Sequence, residues 1–394
     1  MQTLPPLTLY VHLPWCVQKC PYCDFNSHAL KGALPEEAYL DALARDLAFA
    51  VTELDAPRPL QAIFFGGGTP SLFSPPGIAR FNDQVAKLLP LDPDIEITLE
   101  ANPGTIEHGR FADYRAAGIN RVSLGVQSFD DAQLKTLGRI HDSRAARLAI
   151  DELHTAGLEN FNIDLMYALP GQDAAEALAD VEQAIAADPA HISHYELTLE
   201  PNTLFAVRPP PGLPDDERAA EAASACRERL STAGFRRYEI SAYARPDRRS
   251  RHNLNYWRYG DYLAIGAGAH GKLTRADGRI IRTARHRHPR DYQASAGGAT
   301  AIAEQREINA DERVFEYMLN RSRLTEGGHA DEFTQLTGLD AERWLLPGIR
   351  RGIELGLLQA RTGGGWQPTE RGLELLNDLQ AIFLPDDDKK EDVS

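Results

Sequence analysis

The spacing of apolar and polar positions switches repeatedly between two periods over the first two thirds of the chain. Short runs, most of them rich in Ile, Val, Phe or Tyr, stand at residues 9–13, 62–65, 95–100, 121–127, 161–166 and 192–198, and read as strands. Between them apolar residues recur every third or fourth position. Leu40, Leu43, Leu47 and Val51 share one helix face, and Ile78, Phe81, Val85 and Leu88 share another. Six such units in succession predict parallel strands with crossover helices, an α/β fold in which the sheet forms a β/α barrel or part of one. A complete barrel needs eight units.

The pattern then changes. Residues 208–214 (RPPPGLP) form a proline-rich connection, and Asp215 opens a helix that runs through Leu230. Residues 238–243 read as one more strand, 254–271 are aromatic and glycine-rich, and the basic stretch 282–290 reads as an exposed connection. From Asp311 the pattern is mainly helical, with Val314, Tyr317 and Met318 on one face and a second apolar stretch at 344–355. A hairpin over 356–368 and a short helix at 373–379 complete a winged-helix-like arrangement. The tail 385–394 (PDDDKKEDVS) is almost without apolar residues and is expected to be disordered. The expected division is 1–245 for the barrel, 246–300 for a connecting region, 301–384 for the helical C-terminal domain and 385–394 for the tail.

Composition narrows the function. Charged residues make up 25% and hydrophobic ones 43% of 394 residues, which is ordinary globular composition. Lys and Arg number 42 against 57 Asp and Glu, a net charge of -15, which argues against nucleic acid and against anionic membrane surfaces. No apolar run has the length of a membrane span, and residues 1–10 lack the basic and apolar segments of an export signal. A cytoplasmic protein without a transmembrane segment is therefore expected.

Three of the four cysteines, Cys16, Cys20 and Cys23, fall in the segment YVHLPWCVQKCPYCDFNSH directly after the first strand. Three thiolates cannot complete a four-coordinate structural zinc site, and no His stands at zinc-finger spacing. They can hold three irons of a 4Fe-4S cluster and leave the fourth open to another ligand. Cys226 shares a helical stripe with Ala222, Ala223 and Leu230 and reads as a core thiol. His12 flanks the cysteine loop and suits either a hydrogen bond to it or a structural role.

This Cys-x3-Cys-x2-Cys loop after strand one resembles the radical S-adenosylmethionine (SAM) proteins. The resemblance implies an open six-unit β/α barrel. It also implies a cluster whose open iron is chelated by the amino and carboxylate groups of SAM, and whose electron cleaves SAM to a 5′-deoxyadenosyl radical. Over nearly the whole chain the motifs CPYCDFNSH, FFGGGTP, SLGVQSF, NIDLMYALPGQ, LTLEPNT and IGAGAHG are similar to the oxygen-independent coproporphyrinogen dehydrogenases and the related heme chaperones. That similarity implies SAM contacts at Tyr10, Tyr22, Gly68, Thr69, Glu100, Gln127, Arg139 and Asp164. Some of these polar residues could instead hydrogen-bond one another across the barrel.

Three features divide the two branches. The dehydrogenases carry an N-terminal extension, and Cys16 stands too early for one. They also carry a further cysteine two positions after the third, where this chain has Phe25. The chaperones carry His-Asn-x-x-Tyr-Trp, present here as His252, Asn253, Tyr256 and Trp257. A neutral imidazole is a good axial ligand for heme iron, and Tyr256 and Trp257 offer flat surface to a porphyrin. Arg245, Arg248, Arg249, Arg251 and Arg258 cluster nearby and suit heme propionates, the plainer reading being a surface loop whose arginines offset the net charge. The chaperone resemblance implies heme as cargo, a heme donor, and a hemoprotein acceptor, membrane-associated respiratory proteins included. It leaves homodimer formation and any enzyme activity open. The alternative is SAM-dependent oxidative decarboxylation of coproporphyrinogen III. A third alternative, DNA reading by the winged-helix-like region, is opposed by Glu342, Glu354 and the acidic tail.

Overall fold

A computed structural model describes residues 4–105 and 110–385. Most of the expected tail, residues 386–394, lies outside the described residues. Six parallel strands follow one another in chain order: β1 (Leu7–Leu13), β2 (Leu60–Gly67), β3 (Leu91–Ala101), β4 (Arg121–Gln127), β5 (Phe161–Tyr167) and β6 (His191–Glu196). The crossover helices include α1 (Glu36–Thr52), α2 (Pro75–Leu88), α3 (Ser143–Thr155) and α4 (Ala174–Ala186). Their starts are set locally. Ser74 caps α2, its Oγ accepting from Gly77 N–H, ahead of a proline in the first turn, and Asp173 with Glu176 forms a capping box on α4.

Alternation along β1 shows how the sheet is used. Leu7, Leu9, Val11 and Leu13 are wholly buried on the helix side, and Thr8, Tyr10 and His12 take the other face. On that inner face the later strands carry Glu96, Thr98 and Glu100, then Arg121 and Ser123, then Asn162 and Asp164, then His191, Ser193 and Tyr195. Residues from all six strands reach one cavity, so the sheet curves around it.

The sheet does not end at β1 or β6. Beyond β6 lie α5 (Asp216–Thr232) and an antiparallel hairpin of β7 (Arg236–Glu239) and β8 (Ala242–Ala244), so the single strand expected at 238–243 is two. Residues 246–300 contain α6 (Arg251–Trp257), β9 (Asp261–Ile265), β10 (His270–Thr274) and β11 (Ile280–Arg285). With β12 (Ile302–Glu307), these strands extend the sheet from the β1 side, in the order β12-β11-β10-β9-β1-β2-β3-β4-β5-β6-β8-β7. Strand β9 runs parallel to β1, a seventh parallel strand that follows the six-unit repeat.

The first half of the basic stretch, 282–285, is therefore not the exposed connection its charges suggested, whereas 286–288 are a connection with Arg287 and His288 exposed. Arg285 is 4% exposed, and its Nε donates to both carboxylate oxygens of the wholly buried Asp46, which also accepts from Tyr292 OH. Arg282 pairs with Glu316 at 2.6 Å. Neutralised, these side chains belong to a strand.

A second core gathers Tyr259, Ile280, Tyr317, Phe333, Ile349 and Trp366. It lies among α7 (Ala310–Arg321), α8 (Ala330–Thr337) and α9 (Leu346–Glu354) and a hairpin of Leu358–Arg361 with Gly365–Pro368, onto which Gly328–His329 adds a third strand. Helices leading into a small sheet give the winged-helix-like order expected. Among the described residues no helix is long and apolar enough to cross a membrane.

The other face of β6 carries a titratable ring. His194 on β6 is buried and stacks on Tyr167 at 4.6 Å, and burial pushes it from 6.5 to about 4. Its folded value lies below the unfolded one, so its contribution is complete above about pH 6.5 and is lost as pH falls toward 4. His194→Phe keeps the ring stack and removes the proton site. We expect the pH slope of the unfolding free energy between about pH 6 and 4.5 to flatten by up to one proton, ~1.4 kcal/mol per pH unit. An unchanged slope in urea melts would show that this ring already titrates freely in the folded protein.

Candidate functional site

The cysteine loop leaves β1 at the C-terminal end of the strand, the end where β/α folds build their sites. It is tied down by main chain and neighbours. Residues 15–16 and 28–29 pair as two short parallel strands. Asn26 Nδ2 donates to the carbonyls of Ala267 and Arg287, and Lys19 Nζ donates to those of Phe25 and Ser27. His12 holds the base of the loop rather than facing a ligand. Its Nε2 donates to Asn26 O at 2.9 Å and its Nδ1 accepts from Tyr10 OH at 3.0 Å, while burial pushes its pKa down to about 4.

Cys16, Cys20 and Cys23 are free, half-buried thiols that line the same cavity of about 530 Å³. Burial pushes the Cys16 and Cys23 thiols up. Among the described residues no three His, Cys, Asp or Glu side chains converge to hold a single metal ion. Three free thiols on the wall of one cavity fit a cluster in which each sulfur binds a different iron.

The glycine loop after β2 is zipped onto this segment. Gly68 N–H donates to Leu13 O and Thr69 N–H to Trp15 O, and a Cβ on Gly68 would sit 2.5 Å from Trp15 O. Only glycine allows that approach. Gly67, at φ 114°, donates to Glu100 Oε2 at 3.1 Å. Burial, with Asp164 nearby, pushes Glu100 up to about 8. Asp164, also raised by burial, accepts from Ser123 Oγ and Asn162 Nδ2. Gln127 ends β4 in the left-handed region at φ 71°, where its Oε1 accepts from Tyr195 OH at 2.7 Å. Such strain in a non-glycine residue is typical of ligand sites. Arg139 reaches back to the loop, donating to Gly125 O at 2.7 Å, Tyr22 OH at 3.4 Å and Cys20 Sγ at 3.6 Å. All eight residues expected at SAM therefore line the cavity.

The second motif lines the same cavity. Ser250 caps α6, and Glu96 of β3 accepts from Arg251 N–H and His252 N–H at 3.0 and 3.1 Å. His252 is 3% exposed, stacks on Phe64 at 4.8 Å and meets Tyr256 edge-on at 4.9 Å. Burial pushes its imidazole down to about 3, so it is neutral. Its Nδ1 is buried without a partner, and neither ring nitrogen hydrogen-bonds a described residue. His252, Asn253, Tyr256 and Trp257 all line the cavity that the cysteines line.

The arginines around this motif turn away from it. Arg249 and Arg258 both pair with Glu326, Arg251 pairs with Asp92 and donates to Asp94 O, and Arg245 pairs with Asp188. Arg248 is exposed. Four of the five arginines expected at heme propionates are thus paired with carboxylates, and none of the five lines the cavity. Tyr256 and Trp257 are also partly spent as flat surfaces, Tyr256 on Tyr262 at 4.1 Å and Trp257 under Arg323 at 4.4 Å. His286 and His288 form no metal site; His286 Nε2 donates to Thr300 O and His288 caps a helix.

Phe64, Arg121, Ser123, Asn162 and Tyr195 also line the cavity, and the sequence pattern alone does not single them out. Their signal is polar residues two apart in otherwise apolar runs, as in Arg121-x-Ser123 and Asn162-x-Asp164. Fully buried parallel strands read instead as continuous apolar runs.

Residues 10–184 match the Radical SAM superfamily model and residues 308–375 the HemN C-terminal domain. The chain is 49% identical to the heme chaperone HemW of Escherichia coli (strain K12), over 98% of this chain and 100% of that one. It is 46% identical to the heme chaperone HemW of Haemophilus influenzae over the same shares. In three dimensions it matches coproporphyrinogen III oxidase (HemN) of E. coli with a TM-score of 0.79 at 21% identity, covering 96% of this chain and 90% of the other. That last likeness speaks for the fold. Near-half identity to full-length relatives, together with the intact cysteine loop and the His252 motif, places the chain in the HemW family of radical SAM proteins.

Proposed function

We propose that the protein is a heme chaperone that holds a 4Fe-4S cluster through Cys16, Cys20 and Cys23, SAM beside it, and one heme as cargo bound by His252 for delivery to a hemoprotein acceptor. The observation that carries this reading is His252 itself, a buried neutral imidazole with neither nitrogen hydrogen-bonded, on the wall of the cavity the three cysteines line. A bound cluster would supply an open iron for SAM and a source of single electrons.

The chain's own groups divide the work in this arrangement. Gly68 and Thr69 hold the backbone close to the cysteine loop. Glu100, Asp164, Gln127 and Arg139 would supply polar contacts to SAM. Glu96 fixes the helix that presents His252, and Tyr256 packs against the imidazole. In this arrangement residues 1–245 would carry the cluster and SAM, 246–300 the heme motif, and 301–384 a helical region that shares its core with Tyr259 and Ile280.

The test is an anaerobic heme titration followed by absorption. Wild-type protein is expected to take up heme, and His252→Ala to lose that uptake while keeping its iron and sulfide. Heme uptake unchanged in His252→Ala would remove His252 as the ligand.

A further inference from the structure

With four of the motif's arginines paired outside the cavity, the cavity wall keeps one guanidinium without a close partner among the described residues. Arg121, the first residue of β4, is 2% exposed and lines the cavity with His252 and Asn253. Its Nε is buried without a hydrogen-bond partner, and its one ion pair, with Glu96, is long at 3.9 Å. Neither terminal nitrogen donates to a described residue. A guanidinium offers five donors in a rigid fork, and leaving them unmet in the interior is costly.

The carboxylates around Arg121 are occupied elsewhere. Glu96 accepts from the backbone of Arg251 and His252. Asp164 accepts from Ser123 and Asn162. Glu239 accepts from Ser241 and Arg323, and Glu100 accepts from Gly67. Arg139, the other arginine on the cavity wall, is bonded to Gly125 O. A planar, two-oxygen anion entering the cavity would find Arg121 the unengaged fork, and a carboxylate matches it in shape and charge.

We propose that Arg121 is the cavity's carboxylate-binding residue, receiving a heme propionate. The proposal rests on the chaperone reading above.

The test compares wild type, Arg121→Gln and Arg121→Lys in anaerobic titrations with heme, with heme dimethyl ester, whose propionates are blocked, and with SAM. If a propionate is bound, wild type prefers heme to its diester, and Arg121→Gln loses roughly tenfold on heme alone, so that the preference disappears. Arg121→Lys, which keeps the charge without the fork, recovers part of it. SAM, whose carboxylate is expected on the open iron, is the control, and Arg121→Gln binds it as wild type does. Three results overturn the proposal and leave the chaperone reading in place: Arg121→Gln binding heme as wild type does, losing affinity for SAM alone, or weakening all three ligands by one common factor, as expected if Arg121 only balances Glu96. Wild type that takes up no heme at all overturns both.

Discussion

Replacing Cys20 by alanine is expected to leave a folded protein that retains little iron or sulfide after anaerobic reconstitution. The thiol is half-buried, with Arg139 3.6 Å away. The loop does not depend on that contact for its shape. Asn26 and Lys19 anchor it through main-chain carbonyls, and the short 15–16 and 28–29 pairing closes its base. The apoprotein should therefore keep its secondary structure and its unfolding midpoint to within a few degrees, since an exposed or half-exposed change of this kind costs about 0.5 kcal/mol. Iron binding is a different matter, because three thiolates already form a minimal set and two leave a second iron without a protein ligand. Cys226→Ala is the matched control. That thiol is wholly buried in the core and does not line the cavity, so its loss should cost stability and leave cluster content intact. Iron and acid-labile sulfide assays on the two variants check both halves. Full cluster content in Cys20→Ala would contradict the three-cysteine assignment.

Removing Asp261 should damage the fold more than any single change in the cavity. This wholly buried carboxylate at the start of β9 accepts from Arg58, from Lys272 Nζ at 3.0 Å, and from both the backbone and the hydroxyl of Thr274. Lys272 is 1% exposed and sits over the Tyr259 ring at 4.1 Å. Burial pushes its pKa down, against the pull of Asp261. Asp261→Ala strands that ammonium and opens the junction of β9, β10 and β1, a loss of about 3–5 kcal/mol. Urea unfolding measures it. Because the damage comes from the unpaired cation, adding Lys272→Met to Asp261→Ala should recover part of the loss. A double variant less stable than Asp261→Ala would show that Lys272 is satisfied by the Tyr259 and Gly260 carbonyls alone.

The parts of this protein that can be read from sequence are those whose logic is local. The six strand–helix units follow from alternation and the 3.6 period, and Cys16, Cys20 and Cys23 declare themselves by spacing alone. His252-Asn253-x-x-Tyr256-Trp257 does so by motif, and all four of its residues reach the cavity. What is not legible depends on partners distant in the chain. Arg285 looks exposed until Asp46, 239 residues away in sequence, is seen to neutralise it. Arg245, Arg249, Arg251 and Arg258 look like ligands for an acidic cargo until Asp188, Glu326 and Asp92 are found beside them. Arg121 passes for an ordinary strand-start residue because sequence carries no record of which charges have found a partner. The extra parallel strand β9 is hidden for the same reason, since its neighbour β1 lies some 250 residues earlier.

That pairing of β9 with β1 bears on how the chain can be cut. A fragment ending at residue 245 would contain the whole cysteine loop and all eight SAM-side residues. Yet β1 would become a border, with the ladder from Leu7 to Val11 open along one side. A bare, apolar border of this kind is a template onto which another copy can add a strand. Residues 261–265 thus act as a guard for that border of the six-unit half of the fold, and a fragment ending at 245 is expected to self-associate as well as to lack His252.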